Sequence, residues 1–148
     1  MKHFLHIFLF IIVAKLSSLP AAAQQSAAGP DTVADSLWAY YLPQHISAAI
    51  AAGKPDDLDA FVSSNIELTI TSKSGIFSHK QAMVILHDFF ESITPTSFDI
   101  VHERCLDSAT LTIGTLRSGD RQYRVYILTN SENNKLSIQQ LRIEKQDD

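Results

Sequence analysis

Basic, aromatic and amide side chains recur at alternate positions in the last third of the sequence, in a pattern that could hold an anion. Arg124 and Tyr126 are two residues apart, as are Gln140 and Arg142. Residues two apart on a β-strand lie on the same face. Two guanidinium groups beside an aromatic ring and an amide could therefore bind a carboxylate or another anion. The alternative is that these arginines face water, as most surface arginines do.

An earlier segment adds a histidine to the same hypothesis. His102 and Arg104 share parity with Phe98 and Ile100, which means that an even number of positions separates them. They would therefore be polar groups inside the fold if that face of the strand is concave. The alternative is that the end of the strand emerges into solvent. The predicted ligand-binding residues are His102, Arg124, Tyr126, Gln140 and Arg142.

Histidine spacing does not indicate a metal site. His79 and His87 are eight residues apart, which on a helix separates them by about 12 Å along the axis. His87 and Glu91 could share an ion only with a further ligand, so an ordinary pair on the helix surface is favoured. The sequence has no glycine-rich phosphate loop, nucleophile elbow or Cys–His cluster. We predict no metal, no cofactor and no assigned catalytic residue.

Length and composition predict one globular domain that does not bind nucleic acid. The chain has 148 residues, of which 45% are hydrophobic and 19% are charged, a balance typical of a protein with a packed core. The formal net charge of −4 disfavours nucleic-acid binding, which requires clustered basic residues. Cys105 is the only cysteine, so no intrachain disulfide can form, and we expect it to be a small buried residue.

The N-terminus has the pattern of a cleavable secretion signal. A basic start precedes an apolar run from Phe4 to Ala14, and three alanines end at Ala23, which offers small residues for cleavage. The apolar run has 11 residues, whereas a membrane-spanning helix needs about 20. We predict a periplasmic or secreted protein that is cleaved after Ala23. The predicted regions are a signal peptide over 1–23, a flexible segment over 24–41 and one α+β domain over 42–148.

Three helical segments are predicted before the C-terminal half of the chain. Pro43 is well placed to begin the first helix, and Gly53 closes it. The segment Lys54-Pro55-Asp56 then begins a second, short helix. Ser78 and Gln81 form a capping box for the third helix. The apolar stripe of that helix consists of Ala82, Leu86, Phe89, Phe90 and Ile93.

Alternating hydrophobicity predicts five strands. The first extends from Asn65 to Thr71, and Ser74-Gly75 is the turn after it. Two later strands change phase, which predicts a bend or bulge at Gly114 and an extra residue near Gln139-Gln140. A bulged antiparallel meander curls, and helices against its concave side enclose a cavity. The four C-terminal strands are predicted over Phe98–Cys105, Thr110–Leu116, Gln122–Thr129 and Leu136–Glu144.

Several segments carry a resemblance to a known fold. They are Ile46–Ile50 with Leu58–Phe61, Phe77–Ala82 with Phe89–Phe90, and Tyr123–Tyr126 with Ile138–Glu144. With the order of helices and strands, these segments resemble the cone-shaped α+β fold of the nuclear transport factor two-like superfamily. Within that superfamily they resemble the exported bacterial family called domain of unknown function 4783. The resemblance implies a curved antiparallel sheet with three helical segments, the third inserted after the first strand.

The resemblance leaves function open. The superfamily includes steroid isomerases, dehydratases, polyketide cyclases and many non-catalytic binding or dimerising modules, so the fold does not decide the activity. Its isomerases use a carboxylate and a tyrosine, for which Asp99 and Tyr40, Tyr41 or Tyr126 are the candidates here. A solvent-facing Asp99 that pairs with a neighbouring cation is favoured over this role.

Three functional hypotheses follow. The first is an exported, non-catalytic module that binds a small ligand or an envelope protein through its cone or its open sheet face. The second is a small-molecule isomerase or dehydratase that uses a pocket carboxylate and a tyrosine. The third is a homodimer whose role is association itself. We predict no nucleic-acid partner and no integral membrane span after cleavage.

Overall fold

The computed structural model of the protein describes residues 41–146. The predicted signal peptide and nearly all of the predicted flexible segment lie outside the described residues. The elements, in chain order, are α1 (Gln44–Ala52), a 3₁₀ helix (Pro55–Phe61), β1 (Val62–Ile70), β2 (Lys73–Ser78), α2 (His79–Ser92), β3 (Ser97–Leu106), β4 (Ala109–Ser118), β5 (Arg121–Glu132) and β6 (Lys135–Gln146). Within residues 41–146, no helix is long and apolar enough to cross a membrane.

The six strands form one sheet in the order β2-β1-β6-β5-β4-β3. β1 runs parallel to β6, and the other neighbouring strands are antiparallel. The four C-terminal strands form the predicted meander, with turns at Asp107, Gly119 and Asn133-Asn134, where φ is positive. This mixed sheet with its helices confirms the predicted α+β fold.

The first two helical segments begin where the sequence predicts. α1 follows Pro43, and Gly53 ends it in the left-handed conformation, with φ 63° and ψ 36°. Glycine adopts this conformation without steric cost. Ile46 and Ile50 of α1 are fully buried. The second segment is a 3₁₀ helix with Pro55 at its start, so both proline signals are confirmed.

The third helical segment, α2, begins with the predicted capping box. The Ser78 N–H donates to Gln81 Oε1 (3.1 Å), and the Ser78 hydroxyl donates to the same oxygen (2.8 Å). Phe89 packs edge-on against Tyr123 of β5, with ring centroids 5.5 Å apart, so α2 covers one side of the sheet. We call this side the helix face. The predicted stripe of α2 is buried at all five positions, namely Ala82, Leu86, Phe89, Phe90 and Ile93.

The helix face of the sheet supplies most of the core. Its apolar side chains alternate along the three central strands, as expected for strands covered on one side. These residues are at most 3% exposed: Ile66, Leu68 and Ile70 in β1, Tyr123, Val125 and Ile127 in β5, and Ile138, Leu141 and Ile143 in β6. We call the opposite side of the sheet the open face.

The turn predicted at Ser74-Gly75 is wrong. These residues lie within β2, where Gly75 pairs with Leu68 of β1 and Ser74 pairs with Thr69. The chain reverses earlier, at Thr71, where φ is 51°. Serine and glycine are common in turns, but the short strand β2 is stabilised here by its pairing with β1. The sheet consequently has six strands rather than the predicted five.

The bend or bulge predicted at Gly114 is also wrong. β4 pairs with β5 in continuous register from Ala109 to Ser118, so Leu116 lies on the helix face and Leu111 and Ile113 lie on the open face. The irregularity occurs in the neighbouring strand β3, where the register shifts between Ile100 and His102. Gly114 serves another purpose, because a Cβ at this position would lie 2.4 Å from the Phe98 ring.

The second predicted bulge is confirmed. Leu128 pairs with Gln140 and Thr129 pairs with Ile138, so Gln139 is the extra residue in β6. The bulge keeps Ile138 and Leu141 on the same side of the sheet, and both are 1% exposed.

The expected burial of Cys105 is wrong, because its side chain is exposed. Cys105 lies near the end of β3, which is an edge strand. Of the neighbouring residues in this strand, only Glu103 is even half-buried. An edge strand gains packing from one neighbouring strand alone, so a small apolar residue here does not reach the core.

Candidate functional site

The open face has an apolar centre that no described helix covers. Residues paired between neighbouring strands lie on the same face, and Ile113 pairs with Tyr126 while Leu111 pairs with Leu128. All four side chains are half-buried. The centre of the open face is therefore an apolar surface that is not fully shielded from water.

All five predicted ligand-binding residues lie on the open face. Tyr126 pairs with Arg142 and Leu128 pairs with Gln140, while His102 pairs with Ile113. Arg124 has the same parity as Tyr126 on β5 and pairs with Glu144. The strands thus bring the five residues onto one side of the sheet. They do not place them in the space under the helices.

The predicted relation of His102 to Phe98 and Ile100 is wrong. Phe98 and Ile100 pair with Leu116 and Gly114, which lie on the helix face. The bulge that follows Ile100 adds one residue, so His102 and the residues beyond it reverse their faces. Parity counted across a bulge gives the opposite face, and no turn or glycine signal marks this bulge in the sequence of β3.

Arg142 is held above the ring of Tyr126. Its Cζ lies 5.7 Å from the ring centroid, within the range of a cation–π contact. The Arg142 guanidinium donates a hydrogen bond to Glu144 Oε1. Two effects of Glu144 raise the pKa of Arg142 above its ordinary value. The larger is this hydrogen bond, and the smaller is the negative charge of the carboxylate. Arg142 is therefore a charged group that contacts both Tyr126 and Glu144 at the edge of the apolar centre.

A groove of about 450 Å³ lies beside this pair on the open face. Arg124 lines it and, among residues 41–146, makes no ion pair. A guanidinium in this setting offers two parallel N–H donors to an incoming carboxylate. The groove thus combines an apolar wall with an available cation. The lining residues are Ile113, Arg124, Tyr126, Glu144, Lys145 and Gln146.

Asp99 is a surface residue. Its carboxylate forms an ion pair with Arg117, and its side chain is 56% exposed. Its strand partner, Thr115, pairs in turn with Arg124, which places Asp99 on the open face. The favoured interpretation of a solvent-facing, cation-paired aspartate is confirmed. A solvated, paired carboxylate of this kind lacks the apolar pocket that an enzymatic acid or base requires.

Glu103 is the carboxylate that sequence reasoning missed. Its Oε1 accepts hydrogen bonds from the Leu42 N–H (2.9 Å) and the Thr112 hydroxyl (2.8 Å). It therefore joins the chain just before α1 to strands β3 and β4. Glu103 also lines a cavity of about 520 Å³ with Tyr41 and Pro43. The sequence did not show this position, because the unpredicted bulge in β3 turns Glu103 toward the helix face.

The histidines of α2 make contacts with the 3₁₀ helix. His87 Nε2 lies 2.9 Å from Asp56 Oδ1, and His79 Nε2 lies 3.0 Å from the Asp59 carbonyl oxygen. His87 therefore pairs with a residue of another element rather than with Glu91. Within the described part of the chain, no three metal-ligating side chains come together.

The fold is that of the nuclear transport factor two-like proteins. A protein of this class from Cytophaga hutchinsonii is 9% identical, with a TM-score of 0.53 over 78% of this chain and 97% of the other. A family model for domain of unknown function DUF4783 matches residues 43–144. The chain belongs to this family, as its resemblance predicted.

Crystal structures of other DUF4783 proteins support the assignment. The protein from Bacteroides uniformis is 26% identical and has a TM-score of 0.68, with 73% of this chain and all of the other covered (100%). The protein from Bacteroides ovatus is 22% identical, also with a TM-score of 0.68, over 74% and 99% of the two chains. No curated protein matches the sequence.

Proposed function

We propose that the protein is an exported, non-catalytic binding module that holds a partner protein on the open face of its sheet. The observation that carries the proposal is the coincidence of three features on this face. They are an apolar centre of half-buried side chains, a stacked arginine–tyrosine pair and a groove with an available guanidinium.

The composition of the open face is that of a protein interface. Tyrosine and arginine are enriched among the residues that contribute most to binding, and such residues cluster where water is excluded. Tyr126 lies near the middle of the face, between Ile113 on β4 and Arg142 on β6. The charged residues Arg124 and Glu144 lie next to it and supply a polar rim.

The Arg124 groove supplies specificity for an acidic group. An Arg–carboxylate contact fixes the relative orientation of two molecules because it is bidentate. Glu144 also lines the groove, but it is already hydrogen-bonded to Arg142. We therefore expect the partner to place an aspartate, a glutamate or a chain-terminal carboxylate next to Arg124.

The isomerase or dehydratase hypothesis loses its main support. Asp99, the residue on which it depends, is exposed and ion-paired. Among residues 41–146, the buried polar residues are threonines and a serine, and none carries a carboxylate. Glu103 and Tyr41 line a cavity beside α1, but Glu103 Oε1 accepts hydrogen bonds from the Leu42 N–H and the Thr112 hydroxyl, which gives it a structural role. The open face is therefore the better-founded binding surface.

A second copy of the chain is the alternative occupant of the open face. Glu144 and Arg142 are adjacent on this face and have opposite charges. A two-fold axis brings the same patch of both copies together, so a patch that carries both charges can complement itself. Such a homodimer would use the same apolar centre.

Substitution of Tyr126 by glutamate tests the proposal. The change removes an aromatic ring from the centre of the face and puts a carboxylate beside Arg142 and Arg124, where it competes with the acidic group of the partner. We therefore expect Tyr126→Glu to weaken partner binding by at least about thirtyfold. Val84→Glu is the matched control, because Val84 is 61% exposed on α2, away from the open face. Binding would be measured by quantitative capture from a cell-envelope extract with wild-type and variant baits.

Sedimentation velocity at several protein concentrations would separate the two occupants. A homodimer that Tyr126→Glu dissociates and Val84→Glu leaves intact would identify a second copy. A monomer together with a captured protein that only Tyr126→Glu loses would identify a heterologous partner. Monomeric behaviour together with identical capture by all three baits would contradict the proposal.

A further inference from the structure

The sheet opens at one end, between the first residues of β1 and β6. The parallel pairing of these strands joins Val62 to Ile138 and resumes only at Glu67 and Gln140. Four residues of β1 therefore stand opposite a single residue of β6, Gln139. This same residue is the bulge in the pairing of β6 with β5. Two irregularities thus coincide and interrupt the ladder at one place.

The interruption creates a cleft of about 750 Å³. This volume is within the range of small-molecule sites, about 300–1,000 Å³. Bulges are found next to binding sites because they turn side chains that a regular strand would hold elsewhere. The neutral polar side chains that line the cleft are Ser63, Ser64, Asn65, Asn133, Ser137 and Gln139.

The lining of the cleft is hydrogen-bonding and has no net charge. Its hydroxyl and amide groups offer both donors and acceptors. Glu132 and Lys135 also line the cleft, so the formal charges of the lining sum to zero. The lining therefore gives no net electrostatic attraction to an anion or to a cation, whereas a neutral ligand rich in hydroxyl groups could pair with several of its side chains.

Part of the lining is already ordered. Ser63 donates a hydrogen bond from its hydroxyl to the Ile138 carbonyl oxygen (2.7 Å), and Gln139 Nε2 donates to Ser137 Oγ (2.8 Å). The side-chain amide oxygen of Gln139 and the second N–H of the same amide remain for a ligand. Within residues 41–146, Ser64 and Asn65 are exposed and make no side-chain hydrogen bond.

Phe61 supplies an apolar surface at the side of the cleft. It is half-buried, and it packs against the ring of His45 with centroids 4.7 Å apart, which restricts its position. Aromatic rings accept weak C–H contacts, and the C–H faces of a sugar ring are suited to such contacts. The cleft therefore has a restrained ring beside a set of hydroxyl and amide groups.

We propose that this cleft binds a neutral oligosaccharide. The site is separate from the open-face groove, because the two share no lining residue. The same sugar chemistry occurs in a free oligosaccharide and in a glycan attached to a larger molecule. Either would place hydroxyl groups against Asn65 and Gln139 and a ring face against Phe61.

Calorimetric titration with pairs of disaccharides that differ in charge tests the proposal. The probes are N,N′-diacetylchitobiose against cationic chitobiose, cellobiose against anionic cellobiouronic acid, and maltose. We expect saturable binding of at least one neutral disaccharide and at least about tenfold weaker binding of its charged counterpart. The same neutral sugar coupled to beads through a spacer distinguishes an attached glycan from a free one, because only a cleft open to attached glycans retains the protein.

Variants locate the site. Asn65→Ala combined with Gln139→Ala is expected to weaken saccharide binding about tenfold, because it removes two hydrogen-bonding groups. Gln122→Ala is the matched control and should bind the saccharide normally. Gln122 is exposed and lies at the end of β5 away from the cleft. Tyr126→Glu should also bind the sugar normally, so failure of the open-face proposal is distinguishable from failure of this one. Absence of saturable binding by every neutral probe, preference for a charged one, or equal binding by the double variant would overturn the proposal.

Discussion

Replacing Leu86 by alanine is expected to lower the free energy of unfolding by about 2–5 kcal/mol. Leu86 is 0% exposed and lies in the middle of the α2 stripe that packs against the helix face. Truncation removes buried methyl groups and leaves a cavity that the surrounding core refills only in part. Urea denaturation followed by circular dichroism would measure the change.

The control for this experiment lies two residues away on the same helix. Val84 is 61% exposed, so Val84→Ala should change the stability by less than about 0.5 kcal/mol. Leu86→Met, which nearly conserves volume, should cost less than about 1.5 kcal/mol. Equal destabilisation by Leu86→Ala and Val84→Ala would contradict the packing of α2 against the sheet.

Gly114→Ala is expected to destabilise the protein by about 1–3 kcal/mol through overpacking. The added Cβ would lie 2.4 Å from Phe98 Cε2 and 3.0 Å from the Asp99 carbonyl oxygen. The Phe98 ring would have to move, and the Asp99 backbone is held by its pairing with β4. Thermal or urea unfolding of the variant would measure the loss.

Gly75→Ala is the matched control for the glycine experiment. Gly75 also lies in a strand, but a Cβ there would approach only Phe77, at 3.5 Å, which is ordinary contact. We expect this change to be neutral or slightly stabilising, because alanine restricts the unfolded chain. If steric conflict with Phe98 is the cause, Gly114→Ala should cost less in a Phe98→Ala background. An equal cost in both backgrounds would show that another interaction is responsible.

Local signals in the sequence predicted most of the fold correctly. Pro43, Gly53 and the Ser78–Gln81 box mark helix ends through backbone geometry that involves only neighbouring residues. The apolar stripe of α2 and the alternation along β5 follow from the repeat lengths of helix and strand. β2 was missed because its residues are typical of turns, and its stability comes from pairing with β1 across the hairpin.

The candidate site could be predicted only in part. Parity correctly placed Arg124 with Tyr126 and Gln140 with Arg142, because each pair lies within a regular stretch of strand. Parity alone does not say which face the helices cover, since that depends on packing between distant segments. His102 was related to the wrong neighbours because the bulge in β3 reverses the faces.

Only one of the two irregularities that form the cleft between β1 and β6 could be predicted from the sequence. The change of phase in β6 predicted a bulge near Gln139-Gln140, and the structure has it at Gln139. The matching irregularity in β1 arises from the parallel pairing of strands that are far apart in the chain. Polar residues such as Ser63 and Asn65 are unremarkable in a strand with one solvated face.

Nitration of tyrosines by tetranitromethane, located by peptide mass spectrometry, tests most directly the claim that the helices cover one face of the sheet and leave the other open. Tyr123 and Tyr126 are three residues apart on β5 and face opposite sides; Tyr123 is 3% exposed and Tyr41, at 46%, is an internal standard. The experiment uses a concentration at which the protein is monomeric. The nitration rate of Tyr126 should then be closer to the rate of Tyr41 than to that of Tyr123, which stays protected. Nitration of Tyr123 at least as fast as that of Tyr126 would contradict the account.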